Sequence, residues 1–511
     1  MTQQFRRRAL AAVATASVLA LTACNAGSSS TGSSGSATGS GGGASGQSVA
    51  IGLVLEPTSM DFTRSDGAAI AQALLGNVYE GLVKVDEKGA IQPSLATSWT
   101  ISPDRRTYTF DLVQGARFSN GAPLTADDVV FSINRVKTDW AVAVKRSMDV
   151  VSSATALSPT KVQVTLSRPS NSWLYAMTTR VGAVFSRTGV AELATTPVGT
   201  GPYTLGEWRR GDAIVLRRND AYHGAKPYFG QVTLRYIKDA AALNNALLSG
   251  TIDVIGTVQS PESLQQFTTD DRYRVIEGTT NGEVMLTMNT SRPLLKDRAV
   301  RQAIRQAIDH RSLLQTCWAG HGTLLGAMVP PTDPWYQDLT GVAPFDRAKA
   351  TQALKDAGAA GRTLRLRLPA APYATTCGQV VKSDLEQAGL KVTMDQMDFP
   401  TWLSDVFKGA DYDLTIVAHV EPRDIGRMFG NPDYYTRYDN KAVQAELAAA
   451  DAGTEAQQVE HMKEVARLTA EDAASDVLFL MPNLVVADKD IQGLPTNAVG
   501  ETLDLAHLSR S

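Results

Sequence analysis

The residues His419-Val420-Glu421-Pro422-Arg423-Asp424 place four ionisable side chains within six positions. They follow the apolar run Tyr412–Ala418, which reads as a strand, so they sit at a strand end. Glu421 can pair with an ammonium group, and Arg423 can grip a carboxylate through two parallel hydrogen bonds. A solvated charged loop has the same composition. Glu56 and Thr58, just past the first predicted strand, and Asn281 and Glu283, at the opening of another, are further candidates for ligand contact. Trp402, Tyr434, Tyr435 and Tyr438 offer apolar surface, although core packing is the commoner fate of such rings. Nothing assembles into a catalytic constellation. The six histidines, His223, His310, His321, His419, His461 and His507, show no metal-ligand spacing such as H-E-x-x-H, and the folded region has no G-x-S-x-G elbow. Neither Cys317 nor Cys377 lies in a protease-like signature. No cofactor and no bound metal are implied. Gly199-Thr200-Gly201 lacks the third glycine and the helix of a dinucleotide fingerprint.

A different chemistry is written at the N-terminus. Arg6, Arg7 and Arg8 precede the apolar run Ala9 to Leu21, and Leu21-Thr22-Ala23 ends at Cys24. This is the layout of a secretory signal over residues 1–23. Its Leu-Thr-Ala-Cys end resembles a bacterial lipobox, in which Cys24 would be acylated and become the mature N-terminus. Two or more acyl chains suffice for stable anchoring. Residues 24–47 beyond the cysteine are nearly all Gly, Ser, Ala and Thr, a composition that cannot bury a core and serves as a tether. Loss of the three arginines changes the formal charge from −3 to −6. No basic patch of the density needed for a nucleic-acid partner appears in the remainder. In an exported chain the remaining even pair, Cys317 and Cys377, is expected to form a disulfide, with two buried thiols as the alternative.

The elements that must position these residues are legible in part. Val49–Leu55 reads as a buried strand and Ala68–Leu82 as a helix. Thr107–Leu112 alternates as a half-buried strand does. Thr125-Ala126-Asp127-Asp128 caps a helix running to Val136. Ala240–Leu248 is helical up to Gly250, followed by a strand at 252–255. Glu283–Asn289 reads as a strand, and Val300, Ala303, Ile304, Ala307 and Ile308 form one helical face. Between Ala348 and Asp424 helices alternate with strands at Thr363–Leu368, Leu390–Met397 and Tyr412–Ala418, which implies βαβ units and a mostly parallel sheet. Val477–Met481 and Leu484–Ala487 read as two final strands. An α/β fold in two lobes, with a ligand cleft between them, follows from this order.

Several segments, taken in sequence order, resemble the bacterial extracellular solute-binding proteins of the peptide/nickel type, family 5. They are Tyr79-Glu80-Gly81-Leu82-Val83; Ile91-Gln92-Pro93-Ser94-Leu95-Ala96 with Trp99; Phe118-Ser119-Asn120-Gly121; and Pro123-Leu124-Thr125-Ala126-Asp127-Asp128-Val129. Further along come Gly199-Thr200-Gly201-Pro202-Tyr203, Leu216-Arg217-Arg218-Asn219, Asp297, Arg301-Gln302-Ala303-Ile304 and Ala307-Ile308-Asp309. The resemblance implies a two-lobed periplasmic-binding-protein-like fold of type II with three subdomains. One lobe would be 48–277 plus 485–511, with a subdomain at about 81–198, and the other 278–484. It further implies a monomer that is not an enzyme and that delivers a small ligand to the permease of an ABC importer. The protein would touch the membrane only through its lipid anchor, on the outer face of the cytoplasmic membrane. An oligopeptide is the leading ligand, with a metal chelate such as nickel second and sugars or opines behind. Peptide binders of the family carry a tryptophan and then an aspartate at the 412–418 strand end. His419 and Glu421 stand there instead, which puts ordinary dipeptide specificity in doubt. An exported hydrolase and an adhesive lipoprotein are the rival classes.

Overall fold

The computed structural model describes residues 47–65 and 67–511. The signal segment, Cys24 and the tether up to residue 46 lie outside the described residues. Ser48–Leu53 buries Val49, Ile51 and Leu53, and pairs in parallel with Gln231–Tyr236 on one side and Val254–Ile255 on the other. These strands belong to a ten-stranded sheet that runs through the molecule. Its order is Lys391–Met397, Thr363–Pro369, Leu414–His419, Tyr273–Met288, Ser475–Asp488, Val254–Ile255, Ser48–Leu53, Gln231–Tyr236, Ala213–Arg218, Tyr203–Arg209.

The sheet is mixed. The βαβ alternation makes Thr363–Pro369 parallel to both Lys391–Met397 and Leu414–His419, but the latter lies antiparallel to Tyr273–Met288. The expectation of a mostly parallel sheet, read from Ala348 to Asp424, therefore holds for those three strands and not for the sheet as a whole. Ser48–Leu53 and its two neighbours form a second parallel set, and between the two sets the long strands Tyr273–Met288 and Ser475–Asp488 run antiparallel across the middle of the sheet. Separate hydrophobic cores lie on either side of the middle of that strand pair. Two are built on residues 49–273 with Leu484–Leu508, and two on residues 284–480. A second, four-stranded antiparallel sheet, Ala96–Ile101, Thr107–Leu112, Lys161–Leu166 and Val151–Ser158 in that order, carries the helix Ala126–Asp139. Asp128 accepts from the Thr125 backbone N–H at 3.0 Å, closing the helix start anticipated from sequence.

The first predicted helix ends early. It covers Ala68–Leu74 rather than reaching Leu82, because Gly76 turns the chain at φ 74° and Asn77 folds inward to donate to the Leu503 carbonyl at 2.8 Å. Space here is tight: a β-carbon at Gly199 would fall 1.9 Å from the Val78 carbonyl oxygen. The Gly199-Thr200-Gly201 segment is thus a close-approach site, and Thr200 donates to buried Glu80 at 2.8 Å. The expected disulfide is not formed. Cys317 and Cys377 are free thiols, hydrogen-bonded to one another between the helices His310–Trp318 and Pro372–Gln387. Burial raises the Cys377 thiol far above its usual range, with Cys317 adding to the shift. That suppresses the thiolate through which disulfides form.

Candidate functional site

His419 ends its strand directly opposite Glu283 of the long strand Tyr273–Met288. Opposed side chains in an antiparallel pair share a face, with β-carbons about 5 Å apart. His419 is buried. Its Nδ1 lies 2.9 Å from Asp424 Oδ2 and its Nε2 lies 2.8 Å from the Tyr435 hydroxyl. The other Asp424 oxygen sits 2.6 Å from Arg427 Nε, and Arg427 also pairs with Glu421 at 3.0 Å.

Arg423 has φ 57°, a left-handed conformation that non-glycine residues seldom adopt and that is often found at ligand sites. Its guanidinium lies 3.7 Å from the centre of the Tyr175 ring and 4.7 Å from that of Trp335. It reaches the Gly89 carbonyl at 3.5 Å, and its Nε stands 3.5 Å from Asp333 Oδ1. Tyr175 and Gly89 come from the first part of the chain, and Trp335 and Asp333 from the second, so this side chain spans the two halves. Burial pushes the Asp333 carboxyl up to about 6, with Arg423 opposing the shift. Glu283 is buried with Oε2 lacking any hydrogen-bond partner. Burial raises its carboxyl well above the ordinary range, and the charges of Asp333 and Asp424 add to the shift.

The halves meet again at the end of the helix Lys441–Ala452. Asp451 Oδ1 accepts from Ser172 N at 3.0 Å, Ser172 Oγ at 2.6 Å and Ser170 Oγ at 2.8 Å. It thereby caps, from the other half of the molecule, the helix Asn171–Ala176. Asn171 donates to the carbonyls of Ala450 at 2.8 Å and Gly453 at 2.9 Å, and Arg105 reaches the same turn.

Five of the residues singled out from sequence thus come together: Glu283, His419, Glu421, Arg423 and Asp424. Asn281 does not join them, since its amide donates to the Val499 carbonyl at 2.6 Å. Glu56 accepts from Trp208 Nε1 at 2.8 Å and from Gly211 N. With Thr58, Arg210 and Lys238 it lines a separate recess of about 650 Å³. Trp402 and Tyr438 are core residues, hydrogen-bonded to Thr415 at 3.0 Å and Asp472 at 2.7 Å. Asp333, Trp335, Tyr175 and Asp451 escaped sequence reasoning. Pro330-Pro331-Thr332-Asp333-Pro334-Trp335, a stiff loop carrying an acid and an indole, offered a signal for two of them. Asp451 offered none. Among the described residues no three His, Cys, Asp or Glu side chains gather closely enough to hold a metal ion. No described helix is long and apolar enough to cross a membrane.

Two α/β lobes joined by a crossing strand pair, with a buried polar cluster at the crossing, define a two-lobed binding-protein fold of type II. Residues 90–446 match the model of the bacterial extracellular solute-binding proteins, family 5 Middle, and the chain belongs to that family. It is a solute-binding protein and not an enzyme. It is 27% identical over 364 residues to the peptide transport periplasmic protein SapA of Salmonella typhimurium, covering 65% of this chain and 66% of SapA. Protein XP55 of Streptomyces lividans is 27% identical over 493 residues, 89% of this chain and 88% of XP55. The periplasmic binding protein DppA of Helicobacter pylori, solved with the peptide STSA, shares the fold at a TM-score of 0.78 and 21% identity, covering 91% of this chain and 98% of DppA.

The raised Asp333 carboxyl fixes the sign of a pH effect. The folded chain retains a proton that the unfolded chain has released, so stability falls as pH rises from about 4 through 6, by at most about 3 kcal/mol. Asp333→Asn removes this decline. Its melting temperature should gain on the wild type as pH goes from 4 to 7, as read by calorimetry. A difference that does not vary with pH would contradict the assignment.

Proposed function

We propose that this protein is the capture component of an ABC importer. Lipidated Cys24 holds it at the outer face of the cytoplasmic membrane, where it encloses a peptide between its lobes and hands it to the permease. The observation that carries the reading is Arg423, whose guanidinium is held between rings of both lobes beside the carboxyl of Asp333. A peptide presents an ammonium and a carboxylate, and the cluster contains groups suited to each. SapA is named for peptide transport, and DppA was solved with a peptide, which supports this ligand class. Family membership supports the importer role, and the Leu21-Thr22-Ala23-Cys24 motif supports the anchor.

A mixed oligopeptide library should raise the melting temperature by mass action while the peptides stay intact by mass spectrometry. Arg423→Ala should weaken binding of the retained peptides by about 2–5 kcal/mol, the usual cost of removing one partner of a buried charge pair. Cleaved peptides, or wild-type affinity in this variant, would contradict the reading. Cys24→Ser should move the chain from the membrane fraction to the medium or soluble fraction, and its retention on the membrane would exclude the anchor.

A further inference from the structure

The polar cluster is unevenly matched. Four carboxyls, Glu283, Asp333, Glu421 and Asp424, face two guanidiniums, Arg423 and Arg427. Asp424 is engaged twice, by His419 and by Arg427, and Glu421 is held by Arg427. Asp333 stands beside Arg423. Among the four, only Glu283 has a fully buried oxygen without a hydrogen-bond partner, and the residue is 3% exposed. A buried carboxyl oxygen left without a hydrogen bond is costly. Such groups persist where function requires them. Glu283 is the first paired residue of the crossing strands after an irregularity at 280–282, with a second register shift just beyond Val284, and it stands opposite His419. It therefore lies where the two lobes join, on the sheet face shared with the cluster. The absence of any metal-binding triad among the described residues favours an organic cation over a metal ion.

We propose that Glu283 forms a subsite for a positively charged group of the ligand, an ammonium or guanidinium, separate from the Asp424 carboxylate that His419 and Arg427 already occupy. The inference rests on the reading of this cleft as the ligand site. The cation would donate to Oε2 and supply the missing counter-charge. Burial, helped by Asp333 and Asp424, favours the protonated carboxyl, so an arriving cation takes the place of a proton that leaves to solvent. The charged groups whose field bears on this exchange are Asp333 and Asp424, together with their partners Arg423, Arg427 and His419.

The test compares wild type and Glu283→Gln by calorimetric titration with five probes: Ala-Lys-Ala, its Nε-acetyl-lysine counterpart, Ala-Glu-Ala, spermidine and L-arginine. Gln keeps the shape and a hydrogen-bonding oxygen but cannot carry charge, and the melting temperature of the unliganded variant confirms that it folds. Should it not fold, Asp333→Asn, which alters the field at Glu283, replaces it and should weaken the same preference. The wild type is expected to bind the lysyl peptide about 30-fold or more tighter than the acetylated one, the range of a buried charge pair, and Glu283→Gln should abolish that preference. Binding of spermidine or arginine alone, lost in Glu283→Gln, would uphold the cation subsite and remove the peptide reading. Equal binding of all three peptides, or a preference that survives Glu283→Gln, would overturn the subsite and leave the peptide reading standing. No binding of any probe would overturn both.

Discussion

The chain passes between its lobes twice, and both passages lie in one antiparallel strand pair, Tyr273–Met288 against Ser475–Asp488. Every interlobe relation depends on this ladder. Its regular pairing breaks between Thr279 and Glu283. There the Thr280 hydroxyl donates to the Met481 carbonyl at 2.7 Å and accepts from Gly282 N at 2.9 Å, closing a compact irregularity in place of a flat ribbon. The C-terminal segment braces the first-lobe side of the break. Thr279 N donates to Asn497 at 2.9 Å, Ala498 N donates to the Thr279 carbonyl at 2.9 Å, and Asn281 donates to Val499. Gly278 is required by this contact, since a β-carbon there would fall 1.8 Å from the Thr496 carbonyl oxygen. A rotation between the lobes would thereby be confined to the few peptide units at the break, the usual form of a hinge.

Glu283 follows the break immediately, so a ligand held at the subsite proposed for it would bear on hinge geometry. The remaining interlobe contacts, Arg423 on Tyr175 and Gly89 and Asp451 on residues 170–172, belong to the arrangement in which the lobes touch. Each such hydrogen bond is worth about 0.5–1.5 kcal/mol net. Together they lower the difference in contact energy that a ligand must supply to favour closure. The motifs by which the family is recognised lie mostly away from this action. Thr200, Tyr222 and His223 all bond Glu80, and Arg301 holds carbonyls at Leu295 and Asp472. They fix the lobes as bodies and leave selectivity to other residues.

Local pattern determined most of what could be read in advance. Thr107–Leu112 and Ala240–Leu248 fall where alternation and the Gly250 stop place them, because single-face burial leaves a clear period. The 273–279 half of the long strand is hidden by its mixed polarity, and its partner read as two strands because Pro482 interrupts the apolar run. Pro482 is tolerated because it lies at the register break, opposite Thr279, where ladder bonding is already irregular. Strand-end logic picked out His419, Arg423 and Glu283, which the fold gathers into the polar cluster. It could not tell that Glu56 and Asn281 are consumed by their own lobe, nor find Asp451, because those facts are tertiary. The thiol pair was correctly placed together but wrongly joined.

Two rigid lobes that turn about the break at 279–283 would close on a ligand. Small-angle scattering of the mature protein, with and without a saturating bound peptide, tests it most directly. A smaller radius of gyration is expected in the bound state, with unchanged secondary structure by circular dichroism. A radius that stays the same while calorimetry shows the site to be filled would contradict it.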